Sequence, residues 1–277
     1  MKIAICLIVK NEVRNIGEWI AYYMALGVDA VIIFDNNSTD GTAALVLRAA
    51  KIFDVRLVPW ERTDCRSQMA AYEYAAQTLA SEFDWLGFFD ADEFFVLHRE
   101  TLHSFLTRPS DCGAVGINWA IFGSNGHRDS KDALVVKTFT RRAEAGFFPN
   151  RHIKSFTRPH AVRSCMNPHF FDIEGSYLSP VGLPLEWLFV EAGNYYEPGL
   201  TQAEPDFSVC QLNHYFVRSH AHWVQKVSRG YSEGISVRHE ADFDYYDRNE
   251  VEDFSALAQF DAVLMNVAKI YAQGRPQ

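Results

Sequence analysis

The first ninety residues alternate between short apolar runs and stretches whose apolar residues recur at helical spacing. The runs have the length of buried strands and cover Ile3–Val9, Ala30–Phe34, Val55–Val58 and Trp85–Phe89. The intervening stretches predict helices, one from a cap at Asn15 to Gly27 and two over Ala43–Ala50 and Ser67–Leu79. Because strand–helix–strand units cross over with a right hand, the alternation predicts an α/β fold with a mostly parallel sheet and helices on both faces.

The second half of the chain is less regular. Strands are predicted at Gly113–Asn118 and Ala133–Phe139, and helices at Ser219–Arg229 and Phe254–Ala272. Gly175–Pro205 is rich in glycine, proline and aromatic residues, which is typical of a loop that covers a site. The simplest division is a single domain over residues 1–277, with an α/β half at about 1–110 and a second half at about 111–277.

Composition narrows the class of protein. The net charge of −9 over 277 residues argues against a general nucleic-acid binder, which would carry a basic face. The five cysteines are odd in number and form no CxxC pair, which indicates reduced thiols and a cytoplasmic location. The apolar opening has strand length and breaks at Lys10, so we expect neither a signal peptide nor a transmembrane segment. Peripheral contact with the inner face of the membrane stays open.

Polar clusters follow each of the four predicted strands. They are Lys10–Glu12, Asp35–Ser38, Trp60–Arg62 and Asp90–Glu93. In an open parallel sheet, ligands bind outside the carboxyl ends of the strands. Four separate parts of the chain are therefore expected to meet in one crevice.

The most specific of these clusters is the sequence FFDADEFF at residues 88–95. It places Asp90 and Asp92, separated by one small residue, directly after an apolar strand. Carboxylate oxygens suit Mg²⁺ or Mn²⁺, which complete their coordination with phosphate oxygens and water. The alternative is a solvated acidic turn, which the neighbouring polar strand ends disfavour.

The motifs together resemble a known group of enzymes. The stretch from IVKNEVRN to FDNNSTDGT, followed by FFDADEFF, resembles the start of GT-A glycosyltransferases, closest to family 2-like enzymes and to family 92. NWAIFGSNGH, HIKSFTRP, LNHYFVRS and KVSRG follow in the order of these families. The similarity runs from about residue 3 to about residue 231. It implies a GT-A fold with a Rossmann-like nucleotide-sugar-binding half and a C-terminal acceptor-side extension.

The resemblance also implies roles for particular residues. The donor-binding candidates are Asn11, Glu12, Asp35, Arg66, Gln68, Asp90, Lys226 and Arg229. The candidate ligands of Mn²⁺ or Mg²⁺ are Asp90, Asp92 and His214. Lys226 and Arg229 lie three apart on a predicted helix and therefore share a face; Lys154 and Arg158 invite the same interpretation. The alternatives are a turn role for Asp35, surface roles for Arg66 and the basic residues, and a packing role for His214.

The reaction implied is transfer of a sugar from a nucleotide-diphosphate donor, with a UDP-sugar favoured, to a hydroxyl of a glycan or lipid-linked acceptor. The families are mainly inverting, which requires a base across the sugar from the diphosphate. Glu93 and Glu174 are the candidates for that catalytic base, and His169, Asp129 and Asp172 also lie nearby or in the acceptor half.

Two other functions are considered. A nucleotidyltransferase that makes nucleotide-sugars would carry a glycine-rich basic loop after the first strand, whereas VKNEVRN has no glycine before Gly17. A non-catalytic sugar- or nucleotide-binding module suits the aromatic second half, but the intact acidic motif argues against it. A Rossmann dehydrogenase is disfavoured because GxGxxG is absent.

Overall fold

The computed structural model describes residues 1–62, 64–108, 112–129, 134–229 and 239–273, and for Arg229 the backbone alone. Its first half contains β1 (Ile3–Val9), α1 (Ile16–Leu26), β2 (Ala30–Asp35), α2 (Thr42–Ala49), β3 (Val55–Pro59), α3 (Ser67–Leu79), β4 (Trp85–Phe88), β5 (Glu93–Leu97) and α4 (Leu102–Thr107).

The second half contains more strands than the sequence predicts. Its elements are β6 (Cys112–Ile121), α5 (Val135–Thr138), β7 (Arg141–Arg142), β8 (Ile153–Thr157), β9 (Val162–Asn167), β10 (Phe170–Ile173), β11 (Ser176–Leu178), β12 (Trp187–Val190), β13 (Tyr195–Thr201), β14 (Cys210–His214), α6 (His220–Arg229), α7 (Asp242–Tyr246), β15 (Val251–Glu252) and α8 (Phe260–Ala272). Short 3₁₀ helices cover Phe148–Arg151, Pro159–Ala161, Glu191–Gly193 and Ser255–Gln259.

One sheet joins both halves of the described chain. Its strand order is β3-β2-β1-β4-β8-β6-β14-β5, and β11 pairs with β6 in addition. The strands from β3 to β4 are parallel, as are β6 and β14, whereas β8 runs antiparallel to both of its neighbours and β5 antiparallel to β14. The predicted α/β fold with a mostly parallel sheet is confirmed, and the first four strands and three helices lie where the sequence places them.

Helices cover both faces of the parallel part because side chains alternate along each strand. On β1, Ile5 and Leu7 pack into the core cluster that contains Trp19 of α1, while Ala4 and Cys6 belong to the cluster that contains Tyr72 of α3. This two-sided burial explains why the strands read as nearly continuous apolar runs.

The start of α1 differs in its chemistry from the prediction. Asn15 precedes the helix, but its side chain does not cap it, and its amide donates to Glu12 Oε2 at 2.7 Å. The end is as predicted: Gly27 has φ of 95°, a left-handed conformation that favours glycine, and its N–H reaches the last turn.

The prediction of a strand at Ala133–Phe139 is wrong for the described part, which forms helix α5. The cause is tertiary: the buried carboxylate of Glu18 accepts hydrogen bonds from the N–H groups of Val135 and Val136, at 2.7 and 3.0 Å, at the start of that helix.

Two other predictions need adjustment. The loop predicted at Gly175–Pro205 contains three strands, β11 to β13, and the helix predicted from Phe254 begins at Phe260 after a 3₁₀ turn. Across the described residues, every helix is too short or too polar to cross a membrane.

Candidate active site

Side chains of helix α1 hold the backbone of the acidic loop, residues 89–93, between β4 and β5. The indole N–H of Trp19 donates to the carbonyl oxygens of Asp90 and Glu93, at 2.9 and 3.0 Å, and Tyr23 OH donates to Glu93 O at 3.0 Å. Trp19 and Tyr23 are fully buried. The loop backbone is therefore held by rigid core side chains, so its carboxylates are preorganised.

Asp90 is held by three side chains. Lys154 Nζ donates to Oδ2 at 2.8 Å, and Gln68 Nε2 donates to Oδ1 at 2.9 Å. Tyr72 OH lies 3.4 Å from the same Oδ1. Gln68 and Asp90, which were each predicted to bind the donor, are thus in contact, and about a third of the Asp90 side chain stays exposed.

Asp92 faces a lysine and a histidine from the C-terminal half. Lys226 Nζ donates to its Oδ2 at 2.8 Å, and His214 Nε2 lies 3.5 Å from its Oδ1. Burial alone would raise the pKa of the Asp92 carboxyl, but Lys226, His214 and Arg218 together hold that pKa well below its ordinary value. The carboxylate is therefore ionised, and β14 and α6 bring its partners to it.

Glu93 is wholly enclosed. Its Oε1 accepts the indole N–H of Trp119 at 2.7 Å, its Oε2 accepts the backbone N–H of Asp90 at 2.8 Å, and Lys154 Nζ lies 4.0 Å from Oε2. Burial and the charges of Asp90 and Asp92 raise the pKa of the Glu93 carboxyl, against the effect of Lys154. A side chain with no exposed surface and both oxygens occupied is placed to position the loop, which fits poorly with the predicted role of a base that contacts an acceptor.

We expect Glu93→Gln to lower the thermal unfolding temperature. An amide presents an NH₂ to one of the two N–H donors, from Trp119 or Asp90, so a buried hydrogen bond is lost and its donor stays unpaired. Such a loss costs about 1–3 kcal/mol, which corresponds to roughly 2–12 °C in a domain of this size. Scanning calorimetry measures the shift. An unchanged unfolding temperature would contradict the positioning role, and Glu191→Gln, on an exposed 3₁₀ turn, is the control.

The end of β2 carries an unused acceptor. Among the described residues, the buried Oδ1 of Asp35 has no hydrogen-bond partner. An unpaired buried acceptor is unfavourable unless a ligand completes it. Asp35 pairs with Val9 of β1 and lies at the carboxyl edge of the sheet, where its role as a donor-binding residue was predicted.

Asn11 and Glu12 shape the loop beside Asp35. Asn11 adopts φ of 57°, and its Oδ1 accepts the N–H of Thr39 at 2.8 Å, which ties the loop after β1 to the loop after β2. The Glu12 carboxylate accepts from Asn15, and the backbone N–H of Glu12 donates to the hydroxyl oxygen of Thr42 at 2.8 Å. Both residues thus organise the backbone at the mouth of the predicted nucleotide site.

Two predicted site residues, Arg66 and Glu174, make no contact with the acidic loop among the described residues. The Arg66 side chain is more than half exposed, 3.9 Å from Glu73. The Arg229 side chain lies outside the described residues. Glu174 is exposed at the turn before β11, whose Ser176 pairs with Cys112 at the start of β6.

The position of Glu174 corrects the prediction that it is a catalytic base. Strands β4 and β6 both pair with β8, and Thr157 of β8 lies opposite Leu86 of β4 and opposite Ala114 of β6. The start of β6 is therefore at the same edge of the sheet as the start of β4. Asp90 follows the opposite end of β4. Arg158 lies at the same far edge as Glu174, because its N–H donates to Gly113 O and its guanidinium stacks over Trp85.

Apart from His169, the sequence did not single out the residues that surround His214. Trp119 of β6 contacts three imidazoles, with ring centroids 4.3 Å from His214, 4.8 Å from His152 and 5.0 Å from His169. His152 and His169 each face a backbone carbonyl through Nδ1. Their spacing in the sequence carries no signal because β6, β8 and the β9–β10 turn meet only in the folded sheet.

The groups around Asp92 fit a divalent cation that is bound with few protein ligands. Burial lowers the pKa of His214 despite the opposing charge of Asp92, so the neutral imidazole faces an ionised carboxylate, the forms in which both ligate metals. Among the described residues, no set of three or more acidic, histidine or cysteine side chains forms a ready metal cage. Mg²⁺ and Mn²⁺ sites of one or two protein ligands, completed by substrate phosphates, match this pattern.

The sheet order, the acidic loop at its carboxyl edge and the basic residues around it agree with the class that the motifs resemble, the GT-A glycosyltransferases. Residues 2–184 match the model of glycosyltransferase family 92. The chain belongs to this family, which confirms the predicted resemblance. The later motifs, which contain His214 and Lys226, lie beyond the matched residues.

Plant proteins of the same family are among the similar sequences. A glycosyltransferase family 92 protein of Ricinus communis is 30% identical over 187 residues, which are 62% of this chain and 31% of that protein. One from Oryza sativa is 30% identical over 179 residues, 61% and 28% of the two chains. The match therefore spans about a third of the length of these relatives.

Solved structures give only distant likenesses. The crystal structure of S. aureus TarS superposes with a TM-score of 0.40 at 16% identity, over 58% of this chain and 29% of that one. HddC from Yersinia pseudotuberculosis gives a TM-score of 0.39 at 9% identity, over 65% and 89%. Likenesses at this level carry no conclusion about function.

Proposed function

We propose that the protein transfers a sugar from a nucleotide-diphosphate donor, with a UDP-sugar favoured, to an acceptor hydroxyl. The observation that carries the proposal is the acidic loop: in a family 92 chain, Asp90 and Asp92 are held rigidly at the carboxyl edge of the sheet, each beside a lysine. The unpaired Asp35 Oδ1 at the same edge is a further argument, because a ribose hydroxyl or a base N–H would satisfy it.

Within this proposal Asp92 and His214 would hold Mn²⁺ or Mg²⁺, and Asp90, which is engaged by Lys154 and Gln68, would orient the donor beside them. The bound cation would supply charge stabilisation for the departing diphosphate. Lys226 Nζ lies 2.8 Å from Asp92 Oδ2, and the Lys226 side chain is nearly buried. A change of side-chain conformation would bring its ammonium to a diphosphate bound beside Asp92. The fully buried ammonium of Lys154 lies 2.8 Å from Asp90 Oδ2 and 4.0 Å from Glu93 Oε2, so it helps to hold Asp90 in place.

The proposed reaction is a direct displacement with inversion at the anomeric carbon. The acceptor oxygen forms the new bond as the bond to the diphosphate breaks. A glycan or a lipid-linked glycan is the proposed acceptor, and the cytoplasmic location stays a prediction.

Thermal unfolding in the presence of nucleotides tests the donor site. We expect UDP with Mn²⁺, at about a hundred times its Kd, to raise the unfolding temperature by roughly 5–10 °C, since ligand binding to the folded state stabilises it. Asp35→Ala is expected to weaken UDP binding about ten- to a hundredfold, because a hydrogen bond to a charged acceptor is lost. Without UDP the same variant is expected to be at least as stable as the wild type, because an unpaired buried acceptor is removed.

The control for this experiment is Asp261→Ala, an exposed acid on α8. Equal UDP affinity in Asp35→Ala and the wild type would remove Asp35 from the donor site. No stabilisation of the wild type by any nucleoside diphosphate or nucleotide-sugar, with or without Mn²⁺, would contradict the proposed function.

A further inference from the structure

We propose that His169 is the catalytic base of the transfer reaction, accepting the proton of the acceptor hydroxyl at Nε2. The inference rests on the proposed function and deepens it, because the sequence-predicted bases do not reach an acceptor: Glu93 is enclosed and Glu174 lies at the opposite edge of the sheet.

The His169 ring is oriented by the backbone. Its Nδ1 lies 2.9 Å from the carbonyl oxygen of Ile153, which accepts only, so the proton of the neutral ring sits on Nδ1 and the lone pair on Nε2. Among the described residues, the hydrogen bond of the His169 ring is made by Nδ1. A neutral imidazole whose Nδ1–H is held by an acceptor has the arrangement that a general base requires.

The position of the ring is also fixed. The backbone N–H of His169 donates to Asn167 Oδ1 at 2.8 Å, and Asn167 Nδ2 donates to Pro198 O at 3.2 Å. Gly199 packs against His169 so closely that a Cβ at Gly199 would lie 2.7 Å from the His169 Cβ. Since Gly199 also has φ of 95°, both space and conformation require glycine there.

His169 lies at the same edge of the sheet as the proposed metal-binding pair, because its Nδ1 meets the carbonyl oxygen of Ile153 at the start of β8. It and His214 contact the same ring of Trp119, so one tryptophan separates it from the proposed metal site. The strand that packs against it, β13, also carries Tyr195 and Tyr196, whose exposed rings can stack on a sugar acceptor. The proton of the hydroxyl passes to Nε2 as the oxygen bonds to the anomeric carbon, and the electron pair of the broken bond leaves with the diphosphate.

The electrostatic surroundings keep the ring neutral. Burial lowers the pKa of His169 well below its ordinary value, and the charge of Lys154 on β8 and the neighbouring His152 and His214 act in the same direction. The ring is therefore able to accept a proton at neutral pH. In the wild type we expect any loss of rate from protonation of His169 to lie on the acidic side of the ordinary histidine pKa.

The test compares three histidine variants in the release of UDP from UDP-sugars, with water as the acceptor. His169→Asn keeps an N–H near the Nδ1 position and loses Nε2, and we expect its kcat to fall about 10²–10⁴-fold, with unchanged UDP affinity. Its pH–rate profile is expected to lose the contribution of His169 on the acidic side and to keep that of His214, a change that a merely structural role would not cause. His152→Asn is the neighbouring variant and His160→Asn, exposed on a 3₁₀ turn, is the distant control.

The outcomes separate the inference from the proposed function. A wild-type rate in His169→Asn, or loss of the rate in His152→Asn alone, overturns the assignment of His169 while the donor site stands. If the wild type neither binds UDP nor releases it from any UDP-sugar, the proposed function fails and the inference fails with it. Should His169→Asn unfold at a lower temperature, His169→Gln is measured in its place, and a wild-type rate and pH profile there overturn the assignment equally.

Discussion

Asp92→Asn is expected to reduce kcat for UDP release from a UDP-sugar by at least ~10²–10³, the usual loss when a charge-stabilising group is removed. The substitution keeps the shape of the side chain and removes the charge that faces His214 and Lys226. It therefore removes the proposed anionic metal ligand without changing the volume of the site. Steady-state kinetics with Mn²⁺ measures the effect.

A loss of activity through unfolding has to be separated from this result. The Lys226 side chain is only 6% exposed, and it would lose its counter-charge in Asp92→Asn. Removing one partner of a buried ion pair costs about 3–5 kcal/mol at most, although Lys226 keeps its contacts with Phe216 O and the Phe216 ring.

The double variant Asp92→Asn/Lys226→Met removes both charges. We expect it to regain most of the lost thermal stability and to remain as inactive as Asp92→Asn. Recovery of activity in the double variant would show that Asp92 serves only to neutralise Lys226.

Lys226→Met is expected to lower kcat by about 10²–10³, because the ammonium would no longer balance charge on the departing diphosphate. Its effect on metal binding should have the opposite sign to that of Asp92→Asn. In Lys226→Met the Asp92 carboxylate loses the ammonium that lies 2.8 Å from its Oδ2, so its negative charge is no longer neutralised by Lys226. We therefore expect Mn²⁺ to bind at least as tightly as in the wild type. Kinetics and a Mn²⁺ titration on the same preparation measure the two effects.

Lys226→Arg and Lys269→Met are the matched variants for this result. The first keeps the charge in the site, and the second removes a charge from the exposed surface of α8. Weaker Mn²⁺ binding in Lys226→Met, or full activity in it, would contradict the proposed role of Lys226.

The sequence predicted the parallel part of the fold because its signals are local. Strand β1 is apolar along its whole length since both of its faces are buried, and Gly27 ends α1 through its own backbone conformation. The pairing of β8 between β4 and β6 has no local signal, because it joins segments about seventy and forty residues apart. The β-branched residues of VVKTF favour a strand, and the distant Glu18 decides the helix.

In the candidate site, too, the residues with local sequence signals were predicted and those placed by distant strand pairings were not. Asp35, Asp90 and Asp92 follow strands that can be read from the sequence, and they lie at the predicted edge. Lys154 on β8 and Trp119 on β6 reach the acidic loop only through pairings between strands distant in the sequence, so their contacts with Asp90 and Glu93 could not be predicted. Glu174 was misplaced for the same reason, because the turn between β10 and β11 lies at the other edge of the sheet.

The most direct test of the central claim is an electron paramagnetic resonance titration of Mn²⁺ with the wild-type protein and UDP. The acidic loop, completed by the diphosphate, should remove one equivalent of Mn²⁺ from the free signal, and Asp92→Asn should leave that signal in place. A free Mn²⁺ signal that the wild-type protein and UDP do not diminish beyond UDP alone would contradict a metal-assisted site at Asp92.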